Sequence, residues 1–159
     1  MNQIFPNRLA PRTAGGLSGT ALVAALYVAH ALLLKWRGQG LGAVWLLLLL
    51  LPGAVAAYIC LRRGIQYKAA QEGVWAGVIT AHAAAAIQVI WLVWAVATTD
   101  WEAYARAVGP EIAYAVRDMA APATALAIAL GAALTYAGCA GASWLGALMY
   151  TTIRDALAR

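Results

Sequence analysis

The residues of this chain whose types could support chemistry are two histidines. His30 and His82 each stand at the centre of an Ala-His-Ala triplet inside a long apolar stretch. A neutral imidazole can bind the iron of a haem, and the same lone pair can bind the magnesium of a chlorophyll-type pigment. Small alanine neighbours would leave room for a flat macrocycle. Two facing histidines could hold one haem, whereas a pigment would need only one.

A structural role for the two histidines is the alternative. Each imidazole would then hydrogen-bond to a backbone carbonyl or to a polar side chain of a neighbouring helix. The two cysteines, Cys60 and Cys139, form no CxxC pair and have no neighbouring histidine or acid, so we expect no metal site and interpret both thiols as packing groups. The chain also lacks a GxSxG motif. We predict no catalytic residue and no enzymatic activity.

The elements that hold these histidines are long apolar segments. The chain is 64% hydrophobic and 11% charged, whereas soluble domains carry roughly 25% charged residues. Four segments, residues 17–34, 38–61, 73–99 and 119–153, contain no acid, lysine or arginine. Each has about the 20 residues that cross a hydrocarbon core, or more. The predicted fold is an all-α integral membrane protein with four transmembrane helices in an up-down bundle. The predicted spans are residues 17–36, 40–61, 73–99 and 119–153, between an N-terminal segment 1–16 and a tail 154–159.

The basic residues predict the orientation of these spans. With the N-terminus inside, seven lysines and arginines lie inside and four outside, so the positive-inside rule places both termini in the cytoplasm of a bacterial inner membrane. The inside residues are Arg8, Arg12, Arg62, Arg63, Lys68, Arg154 and Arg159; the outside residues are Lys35, Arg37, Arg106 and Arg117. Because they form no basic stripe, we expect no nucleic-acid partner. The first apolar run continues past the leader-like Ala29-His30-Ala31, so we interpret it as a retained span.

The connection between the third and fourth spans, residues 100–118, is predicted to contain a short helix at the membrane surface. Thr99 and Glu102 have the spacing of a capping box, and Trp101, Tyr104 and Val108 recur at helical intervals. Gly109-Pro110 ends this helix, and Pro110 could open a second short one. A plain loop is the alternative, because short apolar periodicity is ambiguous.

The fourth span is longer than a bilayer requires. We place Pro122 in its first turn, where proline is tolerated. A division into two spans at Gly138–Gly141 is disfavoured, because no polar loop lies there. The second span contains the leucine run Leu46–Leu51, followed by Pro52-Gly53, and we expect Pro52 to kink it.

Small residues at intervals of four predict helix–helix contacts, since lipid-embedded helices associate through close packing. The third span carries such a ridge, and the fourth carries a similar one. We also predict Ala21, Ala25 and Ala29 as the packing side of the first span. The two main ridges are Gly73, Gly77, Ala81 and Ala85, and Gly138, Ala142 and Gly146.

About 30 residues of the chain follow a recurring pattern. Gly53-Ala-Val-Ala-Ala-Tyr-Ile-Cys-Leu-Arg-Arg-Gly is followed by Gln71-Glu72-Gly73-Val-Trp-Ala-Gly77. This pattern resembles small uncharacterised four-span membrane proteins of bacteria, some of them from filamentous phototrophs. The resemblance implies a four-span fold and supplies no activity.

Three functions are compatible with these features. The first is a non-catalytic accessory subunit of a larger membrane complex, photosynthetic or respiratory, with other membrane subunits and bound lipids as partners and no soluble substrate. The second is a pigment- or haem-binding protein that uses His30 or His82. The third is an oligomeric transporter or channel, which would need a polar face built from Thr80, Gln88, Thr124, Thr135 and Ser143. The lack of ionisable residues in the spans disfavours ion-coupled transport by this chain alone.

Overall fold

The computed structural model describes residues 9–37 and 47–158. Within these residues the chain is helical and contains no strand, which confirms the predicted all-α class. Outside the described part lie residues 1–8 of the predicted N-terminal segment, residues 40–46 of the predicted second span, and Arg159. The helices are α1 (Pro11–Arg37), α2 (Leu51–Arg62), α3 (Ala69–Ala97), α4 (Trp101–Val108) and α5 (Pro110–Leu157), with a 3₁₀ turn at Gln66–Lys68.

Three of the described segments are long and apolar enough to cross a membrane: Pro11–Leu33, Gln66–Ala97 and Pro110–Leu157. The helix α2 is also apolar, but its 12 residues are fewer than a span needs. It begins just after a turn at residues 49–50. Pro52 stands in the first turn of α2, so the predicted distortion at this proline is an interruption of the helix rather than a bend.

The helix α5 differs most from the prediction. It runs without interruption for 48 residues, or about 72 Å at 1.5 Å per residue. Residues 110–118, which we assigned to the surface segment, are part of it, and Pro122 lies in its interior rather than in its first turn. Pro110 occupies the first helical position, where the missing N–H costs nothing. Pro122 then removes one hydrogen bond without ending the helix.

The short helix α4 forms where the sequence predicts it, but with a different cap. The N-cap is Asp100, whose carboxylate accepts a hydrogen bond from the backbone N–H of Ala103 at 2.9 Å. Thr99 instead donates its hydroxyl to the carbonyl of Ala95 in the last turn of α3, so the predicted capping box with Glu102 is wrong. Gly109, with φ +96°, separates α4 from α5.

Two compact units make up the structure, and their boundaries cut through α3 and α5. Unit 1 contains the chain up to Ala84 and from Tyr136 onward, and unit 2 contains Ala85–Thr135. Unit 1 has a core of small residues, because only small side chains let apolar helices approach closely. Its fully buried members include Val23, Pro52, Ala56, Ala57, Cys60, Ala76, Ala81 and Ala147.

The helix contacts of unit 1 give the chain directions. Gly15 and Gly19 of α1 face Ala76 and Thr80 of α3 in that order, so α1 and α3 run the same way. Gly73 and Gly77 of α3 face Ala147 and Ala140 of α5 in the reverse order, so α5 runs the opposite way. Gly15 and Gly19 also face Ala56 and Pro52 of α2 in the reverse order, so α2 is antiparallel to α1. Consecutive helices of unit 1 therefore alternate in direction.

Candidate functional site

The imidazole of His82 is held in one orientation by its own helix. Its Nδ1 lies 2.8 Å from the carbonyl oxygen of Val78, one turn earlier on α3. A carbonyl only accepts, so Nδ1 carries the proton in the neutral ring and Nε2 keeps its lone pair. A histidine that binds a metal usually donates its other nitrogen to such a carbonyl. The side chain is exposed on the surface of the helix. The geometry therefore leaves Nε2 available as a ligand atom.

Tyr136 of α5 borders this histidine within unit 1. The centres of the two rings are 5.0 Å apart and the rings are nearly perpendicular, at 78°. The residues one turn after His82 on α3, Ala85 and Ala86, are small, whereas those one turn before it, Val78 and Ile79, are branched. Tyr136 therefore borders one edge of the exposed imidazole, and small residues of α3 border it on one side only.

His30 has a different environment. It is half-buried on α1 and has an interaction within the protein. From the register in which Gly19 faces Thr80, His30 lies about 13 Å further along the helix axis than His82 at 1.5 Å per residue. One haem iron needs both axial imidazoles at the same height, so the structure does not bring these two histidines together around one haem.

The described residues contain no group of three histidine, cysteine, aspartate or glutamate side chains that could hold a metal ion. Both cysteines are free and buried. Cys60 lies in the small-residue core beside Ala57 and Ala147. Cys139 lies where α3 meets α5. The thiols are therefore placed as packing groups.

Four of the five polar side chains that a pore would need form hydrogen bonds, either to another helix or within their own helix. Thr80 and Ser143 are buried, and their hydroxyls donate to the carbonyls of Ala76 and Leu49. Within unit 2, the hydroxyl of Thr135 donates to the Gln88 side-chain oxygen at 3.4 Å. Hydrogen bonds of this kind hold membrane helices in register. These four side chains therefore already have hydrogen-bond partners. The fifth, Thr124, is half-buried.

The predicted ridge on α3 lies at a helix contact. A Cβ on Gly73 would stand 2.6 Å from the Cβ of Ala147, and one on Gly77 would meet the backbone of Cys139 and Ala140. Ala81, the next member, is fully buried. Ala85 is half-buried and belongs to unit 2. The first two members therefore lie where α3 closely approaches α5, and the third is part of the buried core.

The members of the ridge predicted on α5 do not all face the same neighbouring helix. A Cβ on Gly146 would meet the carbonyl of Leu50, and Ala142 is half-buried. Gly138, in contrast, has open space around it, and so does Gly141. Residues four apart drift round a helix, because four residues exceed one turn of 3.6.

Three glycines of α1 that the sequence analysis passed over form its closest contacts. Added Cβ atoms on Gly15, Gly16 and Gly19 would collide with Pro52, Ile79 and Thr80 respectively. The predicted packing residues Ala21 and Ala25 are exposed, and Ala29 is half-buried. Gly15 and Gly19 have GxxxG spacing, so the signal was present. It was missed because the first span was drawn from Leu17, whereas α1 begins at Pro11.

A polar cluster anchors the start of α1. The carboxylate of Glu72, in the first turn of α3, accepts a hydrogen bond from the backbone N–H of Arg12 at 2.9 Å. The guanidinium of Arg63, at the end of α2, donates to the carbonyl of Leu9 at 2.8 Å. The first contact satisfies a free N–H at a helix N-terminus and places a negative charge beside it.

No known protein family, curated protein or solved structure matches this chain. The candidate sites therefore rest on the geometry of its own residues.

Proposed function

We propose that this protein is a non-catalytic subunit of a larger membrane complex, and that a transmembrane helix of another subunit packs on one face of α5. The Gly138 face consists of Gly138, Gly141, Leu145 and Met149, whose spacing puts them on one side of the helix. Both glycines have nothing within 4 Å of an added Cβ, and Leu145 and Met149 are 48% and 51% exposed.

The energetic cost of these glycines supports the proposal. A glycine inside a helix costs about 1 kcal/mol relative to alanine. Elsewhere in the described helices, the glycines with φ below zero stand against another helix or a side chain of one. Gly138 and Gly141 have no such contact, and lipid alone does not require a glycine. A neighbouring helix approaching closely would offset the cost.

We propose a topology of four membrane spans. The second span would consist of α2 together with the residues that precede it. Both termini then lie in the cytoplasm of the bacterial inner membrane. This placement puts the ends of α2 and α5 on the cytoplasmic side with the basic residues Arg62 and Arg154, in agreement with the positive-inside rule. The proposed partners are lipids and other membrane subunits.

Gentle detergent extraction and a native gel test the subunit proposal. We expect the protein to migrate with other membrane proteins that mass spectrometry of the same band identifies. Gly138→Leu fills the Gly138 face and should release the protein from the complex. Ala133→Leu adds similar bulk at an exposed position on a different side of α5 and should leave the complex intact. A wild-type protein that is a stable monomer and co-purifies with nothing contradicts the proposal.

A tetrapyrrole protein is the second candidate, and the orientation of His82 favours it. The hydrogen bond from Nδ1 to the carbonyl of Val78 leaves Nε2 as the ligand atom, and Ala85 and Ala86, one turn later, leave space on that side for a haem or chlorophyll-type ring. Either group would suit an energy-transducing host, photosynthetic or respiratory. His30 could serve only as a ligand of a separate group, because it lies at a different height.

The absorption spectrum of the purified material tests this second candidate. We expect a visible band that His82→Leu removes and His30→Leu retains. A spectrum without a visible band in wild-type protein extracted under the same gentle conditions would end the tetrapyrrole proposal and would leave the subunit proposal standing.

A further inference from the structure

Two tyrosines join the ends of α2 and α5 in unit 1. The rings of Tyr58 and Tyr150 meet edge to face, with their centres 6.1 Å apart. The guanidinium carbon of Arg62 lies 5.0 Å from the centre of the Tyr58 ring. Arg154 follows Tyr150 by one helical turn and therefore lies on the same face of α5. Arg62 likewise follows Tyr58 by one turn of α2, so the two exposed arginines lie one turn beyond the aromatic pair, at the same end of the two helices.

The nearby charges leave this pair of arginines with a net positive potential. Arg63 is directed to the carbonyl of Leu9, and the carboxylate of Glu72 is bound at the start of α1. Asp155 follows Arg154 directly, but successive residues of a helix are about 100° apart around its axis. An anion between Arg62 and Arg154 would therefore meet two guanidinium groups at a membrane surface.

An apolar groove of about 340 Å³ continues from Tyr150 along α5. Its described lining is Tyr150, Ile153, Arg154, Leu157 and Ala158. Among these described residues Arg154 carries the one charged group, and the other side chains are hydrocarbon apart from the tyrosine hydroxyl. A ligand that fills this groove carries an apolar portion beside an anionic one.

We infer that Arg62 and Arg154 bind the phosphate of an anionic phospholipid, with the glycerol and the start of an acyl chain in the adjoining groove. Guanidinium groups bind phosphate oxygens through paired N–H donors. Tyrosine rings favour the depth of the headgroups, and anionic lipids concentrate in the cytoplasmic leaflet, where basic side chains attract them. The inference uses the membrane location and orientation of the proposed function but not its partner subunit.

Lipid binding to the full-length purified protein tests the inference. Native mass spectrometry, with dioleoyl phosphatidylglycerol titrated into detergent-solubilised protein, should show one retained lipid, and dioleoyl phosphatidylcholine should bind at least tenfold more weakly. At about 1 kcal/mol for each arginine, the double variant Arg62→Gln, Arg154→Gln should lose about 30-fold in affinity for phosphatidylglycerol. The double variant Arg106→Gln, Arg117→Gln removes the same net charge elsewhere and should keep wild-type affinity.

Several results would overturn the inference. One is equal loss in the two double variants, and another is equal affinity for the two lipids. Competition by glycerol phosphate at the same concentration as the lipid would show that the site takes a free phosphate. The single variant Arg154→Gln, at an exposed position near the end of α5, should lose about fivefold and provides the test if the double variant does not fold. Migration on the native gel reports the partner subunit separately.

Discussion

Ser143 of α5 donates its hydroxyl to the carbonyl oxygen of Leu49, 3.3 Å away, at the point where the chain breaks before α2. The break follows from Pro52, which has no N–H to give to the preceding turn and whose ring opposes a continuous helix there. Helical partners are lost at this break: Pro52 offers no N–H to the carbonyl of Leu48, although the carbonyl of Leu50 still accepts from the N–H of Ala54 at 3.2 Å. In the proposed second span water could not replace them, and a neighbouring helix supplies the donor.

Ser143→Ala should therefore destabilise the protein by about 1 kcal/mol, because it leaves the Leu49 carbonyl buried without its partner. Unfolding in mixed detergent micelles, followed by circular dichroism, measures the change. Ser18→Ala is the matched control: its hydroxyl donates to Gly15 within its own helix and is exposed, so its removal should cost less than half as much. Equal losses would contradict the interhelical role of Ser143.

The same contact between α2 and α5 makes Gly53 irreplaceable. A Cβ there would collide with the backbone carbonyl of Ser143, which cannot rotate aside as a side chain could. We expect Gly53→Ala to cost about 2 kcal/mol or more in the same unfolding experiment. Gly138→Ala places the same methyl group in open space and should stabilise the isolated protein by up to about 1 kcal/mol. A neutral Gly53→Ala would show that the two helices are further apart than described.

Part of this arrangement could be predicted from sequence alone. Pro52 marks the helix break because proline's missing N–H is a local property. Gly73 and Gly77 mark a close approach because their spacing fixes a face of α3. The sequence does not show that Ser143 meets the break, since that depends on the register between α2 and α5.

The predicted start of α5 is wrong for a related reason: the helix begins at Pro110. Proline restricts the helix locally, but whether it starts a helix or sits inside one depends on the turns before it. Gly109, with its positive φ, already separates α4 from Pro110. The helix has therefore already begun at Pro110, and Pro122 lies in its interior.

Glu72 should contribute to stability through the start of α1. Glu72→Ala removes the acceptor of the Arg12 N–H and a negative charge beside a helix N-terminus, and we expect a loss of about 0.5–1 kcal/mol. Asp118→Ala removes an equal charge from an exposed position in the body of α5 and should be nearly neutral. The comparison uses detergent unfolding at low salt, and added salt should reduce the difference. A difference that does not change with salt would show that the hydrogen bond alone matters.

In unit 2, Gln88 and Thr135 should stabilise the pairing of α3 and α5 jointly. Thr135 donates to the side-chain oxygen of Gln88, and the Gln88 amide also lies against Gly131. A double-mutant cycle of Gln88→Leu and Thr135→Val measures their coupling, which we expect to be about 0.6 kcal/mol, the average for such bonds in a membrane protein. The bond is long, so a value well above 1 kcal/mol is not expected. A coupling of zero would mean that the two side chains are not linked, and it would make them available for the polar face that a channel requires.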